Sequence, residues 1–448
     1  MEEPIEIDVA PSSGFDALLQ VAFSNETKVP ETILRRIPPP TVTVSSLLAT
    51  NLPALVHSSA VDLRPAKLCI TDLAAHWTVE ELLRAPIPPR KWLGDLEITL
   101  KSKWFTCARV TSVLHPKISN LYLPLWVGNF WYSLVEAAEQ KKKWRKAVGW
   151  VSGQVQDAGA YEARELMGRI PWGTRLWVLV GADSSSFVGV LAKLLSDNWL
   201  VERHLDTLIS YLNFRAGEDR KGAGECWVGD VYFSACLKRF YRATKKAIST
   251  DWDLNKYKDA ITAHGYKRLL FPANLNNTHW IAFSVDLEKK EFCFGTPSYH
   301  FGMNTGSLTA LHDLGDSLSR EPDTEVQHVR RGLANWLKAV FGSAFKDLGS
   351  TFLIGRQEDG HSCGICVVNA IEHAMFGAPL FTDGDRYRLR VRYFVEAIKY
   401  LLNDVGACFA LGGNHTHVSF SSLPSPLAKA LLNQWTHRTK ESTRQQEL

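Results

Sequence analysis

The chain has 448 residues, enough for two or more domains at roughly 150 residues each. It is 45% hydrophobic and 22% charged, which is typical of a globular protein, and its net charge of +4 is too small to indicate a nucleic-acid partner by itself. The eight cysteines are scattered rather than arranged as a disulfide scaffold, a usage typical of a reducing compartment. There is no basic-then-apolar signal pattern, and the longest apolar stretch, residues 121–135, is too short and too interrupted to cross a bilayer. We therefore expect an intracellular protein, in the nucleus or cytoplasm, with no membrane partner.

The first part of the chain carries few residues that indicate a chemical function. Residues 1–45 contain a run of three prolines and little periodic apolar content, which predicts a disordered tail. Residues 46–185 form a mainly helical, tryptophan-rich region of unknown function. The basic run Lys141–Lys146 is typical of a solvated helix face, and nucleic-acid binding through it is the less favoured alternative that stays open.

A second region is predicted over residues 186–436, followed by a frayed tail at 437–448. The spacing of its apolar residues changes from the helical period to the alternation typical of strands, and then back to the helical period. Strands are predicted at 269–272, 280–287 and 291–295, with helices at 226–243, 333–341, 364–375 and 387–402. The fold class is therefore α+β, with a small mixed sheet packed on a helix that begins at Cys363.

The segment Asp359–Cys366 places Cys363 at the start of that helix, because apolar residues recur at helical spacing after it until Gly377. Ser362 is a candidate cap, and the exposed N–H groups of a helix start favour a thiolate, which is a nucleophile. The alternative is a buried free cysteine. The pair Cys363 and Cys366 also fits a redox or zinc half-site, but no second pair stands at ligand spacing.

A nucleophilic cysteine needs a base and a donor for the oxyanion. His279, at the start of a predicted strand in His279-Trp280, is the best base candidate, and Gln357, six residues before Cys363, could supply an amide N–H. This His-Trp pair and Gln-x5-Cys-Gly segment resemble those of the ubiquitin-like protease family, the SUMO-processing cysteine proteases. Trp199-Leu200 resembles the motif that opens the family's domain, with Trp227-Val228 as a rival. The resemblance covers roughly residues 186–430.

The resemblance implies roles for individual residues and a class of partner. Cys363 would be the nucleophile, His279 the general base and Gln357 the oxyanion donor. Trp280 and Trp199 would line a narrow channel for a Gly-Gly tail. The partner would be a ubiquitin-like modifier or its conjugates, and the chemistry needs no cofactor or metal.

One position departs from the family pattern. The acidic residue expected 17 positions after His279 is Thr296 in this chain. In a hairpin turning at 287–290, Thr296 would lie diagonally across from His279 and could accept a hydrogen bond. It offers no charge, and in serine triads the loss of the carboxylate lowers turnover by about 10⁴-fold. We therefore expect a cysteine peptidase of reduced activity, with a catalytically impaired binding module for a ubiquitin-like partner as the alternative.

Overall fold

The computed structural model describes residues 30–53, 63–106, 110–153, 158–176, 187–218, 223–242, 248, 251–297 and 324–410. The predicted tail is ordered in its described part. Ile33 lies in a short helix and is fully buried, and the N–H of Val44 donates to the carbonyl of Ile170 at 3.0 Å. The tail prediction is therefore wrong for residues 30–45, because the apolar residues there are too few to be periodic but still pack. Residues 1–29 and 437–448 lie outside the described residues.

The chain divides into two compact units, residues 1–146 with 167–174, and residues 147–166 with 175–448. The second unit therefore contains a segment, 147–166, that precedes the boundary predicted near residue 186.

The first unit is mainly helical, as predicted. A three-stranded antiparallel sheet in the order β1-β2-β3 completes it. Trp131 is fully buried in its core, where it meets Trp92 and His115 edge to face. The elements are α1 (Glu31–Leu34), α2 (Val44–Ala49), β1 (Ile70–Thr71), α3 (Val79–Arg84), α4 (Arg90–Phe105), β2 (Ser112–Leu114), β3 (Tyr122–Pro124) and α5 (Val127–Ser152), the last of which continues into the second unit.

The basic run lies on α5 and is only partly a solvated face. Lys141 is buried, with its ammonium group donating to the carbonyl of Thr50, and Trp144 is fully buried. The other four residues of the run, Lys142, Lys143, Arg145 and Lys146, are exposed. A nucleic-acid role for this face stays a prediction.

The second unit is an α+β domain, as predicted. Its elements are α6 (Ala158–Met167), α7 (Glu202–Glu218), β4 (Cys226–Val228), α8 (Val231–Arg239), α9 (Trp252–His264), β5 (Arg268–Leu275), β6 (His279–Asp286), β7 (Glu291–Gly295), α10 (Thr324–Phe341), β8 (Lys346–Asp347), α11 (Cys363–Phe376) and α12 (Arg386–Ala410). Among the described residues, no helix combines the length and apolar character needed to cross a membrane.

A mixed five-stranded sheet in the order β4-β5-β6-β7-β8 forms the centre of this unit, with antiparallel β5-β6-β7 flanked by parallel β4 and β8. The predicted hairpin is confirmed, since β6 and β7 pair and the chain turns between Asp286 and Glu291. The single helix predicted at 226–243 is wrong in its first part. Residues 226–228 form the buried strand β4, and Asp230 then caps α8 by accepting the N–H of Phe233.

The segment 147–166 packs on the rest of its own unit. The indole N–H of Trp150 donates to Asp197 at 3.0 Å, and its ring stacks on Tyr387 with centroids 4.6 Å apart. Glu162 forms an ion pair with Lys399 at 2.5 Å. These contacts connect the end of α5 and α6 to the C-terminal helix α12.

Candidate active site

Cys363 is the first residue of α11 and is 2% exposed. Ser362 is the N-cap residue, but its side chain makes no capping hydrogen bond, so that prediction is wrong. Its hydroxyl instead donates to Asp359 at 2.6 Å. Asp359 also accepts the backbone N–H groups of His361 and Ser362 at 2.9 and 2.7 Å, so one carboxylate shapes the loop before the cysteine.

The electrostatics of this loop follow from those contacts. Although burial acts to raise the pKa of Asp359, the hydrogen bonds from Ser362, His361 and Arg386 hold it below its ordinary value. Asp359 is therefore an anion next to the cysteine. Sequence reasoning assigned it no role, although an Asp three residues before a helix cap is a known loop-shaping pattern.

Burial dominates the electrostatic environment of the Cys363 thiol. Burial raises its pKa above the ordinary value, while the backbone N–H groups of Trp280 and Gly364 act to lower it. The N–H groups at the helix start act in the direction expected from the sequence, but burial outweighs them. A base is needed to remove the proton.

His279 is the first residue of β6 and is 9% exposed. Its Nε2 lies 3.0 Å from the hydroxyl oxygen of Thr296, which confirms the contact predicted from the hairpin. The N–H of Trp280, the next residue, approaches the Cys363 sulfur. The fold therefore places the start of β6, with its histidine, beside the start of α11, with its cysteine.

Trp280 lies at the junction between the start of β6 and the start of α11. Its side chain is 2% exposed, and the indole N–H donates to the carbonyl of Leu200 at 2.8 Å. Gly364 follows the cysteine, and a Cβ there would lie 3.1 Å from Leu200 Cβ and 3.5 Å from Trp280 Cδ1. A glycine after Cys363 therefore allows the helix start to approach both Leu200 and Trp280 closely.

Gln357 is 3% exposed and contacts α11 through Cys366. The Cys366 thiol donates to its Oε1 at a distance of 4.0 Å. The NH₂ end of the same amide therefore points away from Cys366, and its role as an oxyanion donor stays a prediction. Cys366 itself is fully buried, and burial raises its pKa well above the ordinary value. Cys366 is thus a buried free thiol. Among the described residues, no group of three or more His, Cys, Asp or Glu side chains is arranged to hold a metal ion.

An open cleft of about 480 Å³ adjoins the junction. Trp199, 41% exposed, and Trp280 both line it, together with Leu200, Val201, Glu202, Arg203, Asp206, Asn274 and Asn277. The rival motif residue Trp227 is instead buried in β4, where it packs on Phe233. Asp206 was not predicted to be a site residue from the sequence. Burial raises the pKa of its carboxyl to about 7.

Comparison with known families identifies the domain that carries this site. Residues 231–405 match the Ulp1 protease family, C-terminal catalytic domain. This segment belongs to that family. The Ulp1-family segment contains Cys363, His279, Thr296 and Gln357, while Trp199 lies ahead of it.

Several solved structures are similar to the chain at low identity. The Ulp1 protease domain in complex with SMT3, the yeast ortholog of SUMO, is 18% identical with a TM-score of 0.36, covering 55% of this chain and 95% of that chain. The Xanthomonas campestris effector XopD, solved bound to ubiquitin, is 17% identical with a TM-score of 0.29, covering 44% and 91%. The Chaetomium thermophilum Ulp1-like SUMO protease catalytic domain is 15% identical with a TM-score of 0.30, covering 46% and 72%. Comparison with curated protein sequences gives no match.

Proposed function

We propose that the Ulp1-family domain is a cysteine peptidase or isopeptidase that cleaves after the Gly-Gly tail of a ubiquitin-like modifier. The observation that carries this proposal is the junction of two elements. Cys363 begins α11 where the N–H of Trp280 approaches its sulfur, and His279 precedes Trp280 on β6. The open cleft lined by Trp199 and Trp280 adjoins this junction through Trp280, and we expect it to receive the modifier's tail of small residues.

The reaction begins with proton transfer from the Cys363 sulfur to His279. The sulfur then forms a bond to the carbonyl carbon of the last glycine. The resulting oxyanion is held by the Gln357 amide and the Cys363 backbone N–H. When the C–N bond breaks, His279 returns its proton to the leaving amine, and a thioester remains on Cys363.

Water completes the cycle. His279 takes a proton from the water, whose oxygen attacks the thioester carbonyl. The C–S bond breaks, the modifier leaves with a free carboxylate, and Cys363 regains its proton. Throughout, Thr296 accepts the Nε2–H of His279, which leaves Nδ1 as the atom that exchanges the proton.

The test is covalent capture by SUMO and ubiquitin that carry a C-terminal vinyl sulfone. We expect an adduct with the natural sequence, none with Cys363→Ala, and an undiminished adduct with Cys366→Ala, which removes the other thiol of the same helix. Absence of an adduct with both probes, or an adduct that survives Cys363→Ala, contradicts the proposal.

A second candidate function rests on Thr296. A hydroxyl at 3.0 Å orients the imidazole but does not neutralise imidazolium, and the cysteine pKa is raised rather than lowered. The same cleft would then serve a binding module for a ubiquitin-like partner. Calorimetric titration of Cys363→Ala with the free modifier measures binding, and turnover by Thr296→Asp measures latent chemistry. Binding by Cys363→Ala, without turnover by either the natural sequence or Thr296→Asp, supports the binding module.

A further inference from the structure

Arg390 on α12 is a buried cation that the proposed mechanism does not use. Its residue exposure is 0%, whereas the side chain of Arg388, two positions earlier on the same helix, is 71% exposed. Both arginines lie near the start of α12, yet only Arg390 is buried. Burial of a guanidinium carries a large desolvation penalty, so its position calls for a physical reason.

The hydrogen bonds of Arg390 join two parts of the site. Its Nη2 donates to the carbonyl oxygen of Asn198 at 3.1 Å and to that of His361 at 3.3 Å. Asn198 immediately precedes Trp199 in the cleft wall, and His361 lies two residues before Cys363. A single guanidinium therefore connects the cleft wall to the loop that presents the nucleophile.

The charge of Arg390 is not matched by a direct ion pair. Within the described residues, its Nε and Nη1 are buried without a hydrogen-bond partner, and no carboxylate lies within ion-pair distance of it. The carboxylate of Asp359 instead pairs with Arg386 at 3.0 Å. Burial lowers the pKa of Arg390 to about 10, so it remains protonated at neutral pH, and a charge on Cys363 acts in the opposite direction, to raise that pKa.

We propose that Arg390 is a positioning residue for the nucleophile: it holds the carbonyl oxygens of Asn198 and His361 together, and its unpaired buried charge favours the thiolate of Cys363 during turnover. This inference rests on the proposed role of Cys363 as the nucleophile. A buried cation without a carboxylate partner gains a counter-ion at the moment when the cysteine loses its proton. The thiolate would be that counter-ion.

Two substitutions separate the charge from the hydrogen bonds. Arg390→Gln keeps a donor and removes the charge, whereas Arg390→Lys keeps the charge and loses the fork that reaches two carbonyls. Arg388→Gln removes an exposed charge from the same helix and is the matched control. The first readout is the rate of Cys363 alkylation by iodoacetamide against pH in a Cys366→Ala background. The other ionisable groups that face this region are left unchanged across the series: Lys193, Asp197, Asp359, Arg386 and His279.

For Arg390→Gln we expect the alkylation profile to move to higher pH and the rate at pH 7 to fall at least fivefold. Arg390→Lys should keep the profile of the natural sequence but raise KM for a fluorogenic modifier substrate more than it lowers kcat, because the cleft wall is less firmly held. Arg388→Gln should change neither. An unshifted profile in a folded Arg390→Gln protein, checked by near-ultraviolet circular dichroism, overturns the proposal.

Asp197→Asn tests the same charge if Arg390→Gln does not fold. Asp197 is half-exposed, and its carboxylate offsets the charge of Arg390. Removing it should speed alkylation at pH 7 by about twofold, and an unchanged or slower rate counts against the inference. Alkylation needs no modifier, so the result is independent of the proposed function. A chain that is alkylated as described but cleaves nothing refutes the peptidase and leaves the role of Arg390 intact.

Discussion

The contact between His279 and Thr296 gives the sharpest prediction. We expect Thr296→Asp to raise kcat/KM, because the substitution places a carboxylate where a hydroxyl now lies 3.0 Å from Nε2. Unit charges about 4 Å apart interact by about 4 kcal/mol at an effective dielectric constant of 20. This is an upper limit, because Thr296 is partly exposed and the new carboxylate must lose some of its water.

A comparison of hydrogen bonds to neutral and to charged acceptors gives a more realistic value for the free energy gained. A bond to a charged acceptor contributes about 1.5–3 kcal/mol, against about 0.5–1.5 kcal/mol for a neutral one. The difference of about 1.4 kcal/mol stabilises imidazolium in the transition state and corresponds to about tenfold in rate. Thr296→Asp should therefore increase kcat/KM about tenfold.

The assay is release of a fluorophore from the C-terminus of SUMO or ubiquitin, with Thr296→Asn as the control of matching size and no charge. Thr296→Asn should leave the rate within a factor of two or three of the natural sequence. Equal gains in both variants, or no gain in Thr296→Asp when a probe adduct forms normally, would refute the electrostatic argument.

Three further predictions concern the surroundings of the nucleophile. Gln357→Ala should lower kcat by about 10²-fold with little change in KM, as the loss of one oxyanion donor does; an unchanged kcat in steady-state assays excludes that role. Gly364→Ala should cost about 1–3 kcal/mol in the free energy of unfolding, since its Cβ would lie 3.1 Å from Leu200. Gly360→Ala, with no atom within 4 Å of the added Cβ, is the urea-denaturation control, and equal costs would contradict the packing argument. Because burial raises the pKa of Asp206 from 3.8 to about 7 in the folded state, its charge opposes folding increasingly as the pH rises from about 4 to 7. Asp206→Asn should therefore be more stable by about 4 kcal/mol at pH 8 and equal in stability near pH 4, and a difference independent of pH in thermal unfolding would rule this out.

The sequence was informative where one local pattern determines the geometry. A hairpin with its turn after Asp286 fixes which residue lies diagonal to His279, because side chains alternate along strands, and so the contact with Thr296 could be predicted. The start and end of α11 follow from its apolar spacing and from Gly377, which takes the left-handed conformation at φ 69°.

The sequence was uninformative where contacts are distant along the chain. The use of the Ser362 hydroxyl by Asp359, the burial of the Cys363 thiol and the burial of Arg390 all depend on tertiary packing. Strand β4 was hidden within an apparent helix, since three residues are too few to show a period. Trp227-Val228 followed by Gly229-Asp230 was the available signal, because it combines residues common in strands with a helix cap.

The packing of Trp150 against Tyr387 bears on where the protease domain can be cut. A recombinant fragment that begins at residue 186 would lack the indole that stacks on α12 and donates to Asp197, as well as the Glu162 partner of Lys399. It would expose the aromatic face of Tyr387 to water next to the loop that precedes Trp199. A fragment that begins within α5, ahead of residue 147, keeps these contacts, so the choice of first residue decides whether solubility and activity are measured on an intact fold.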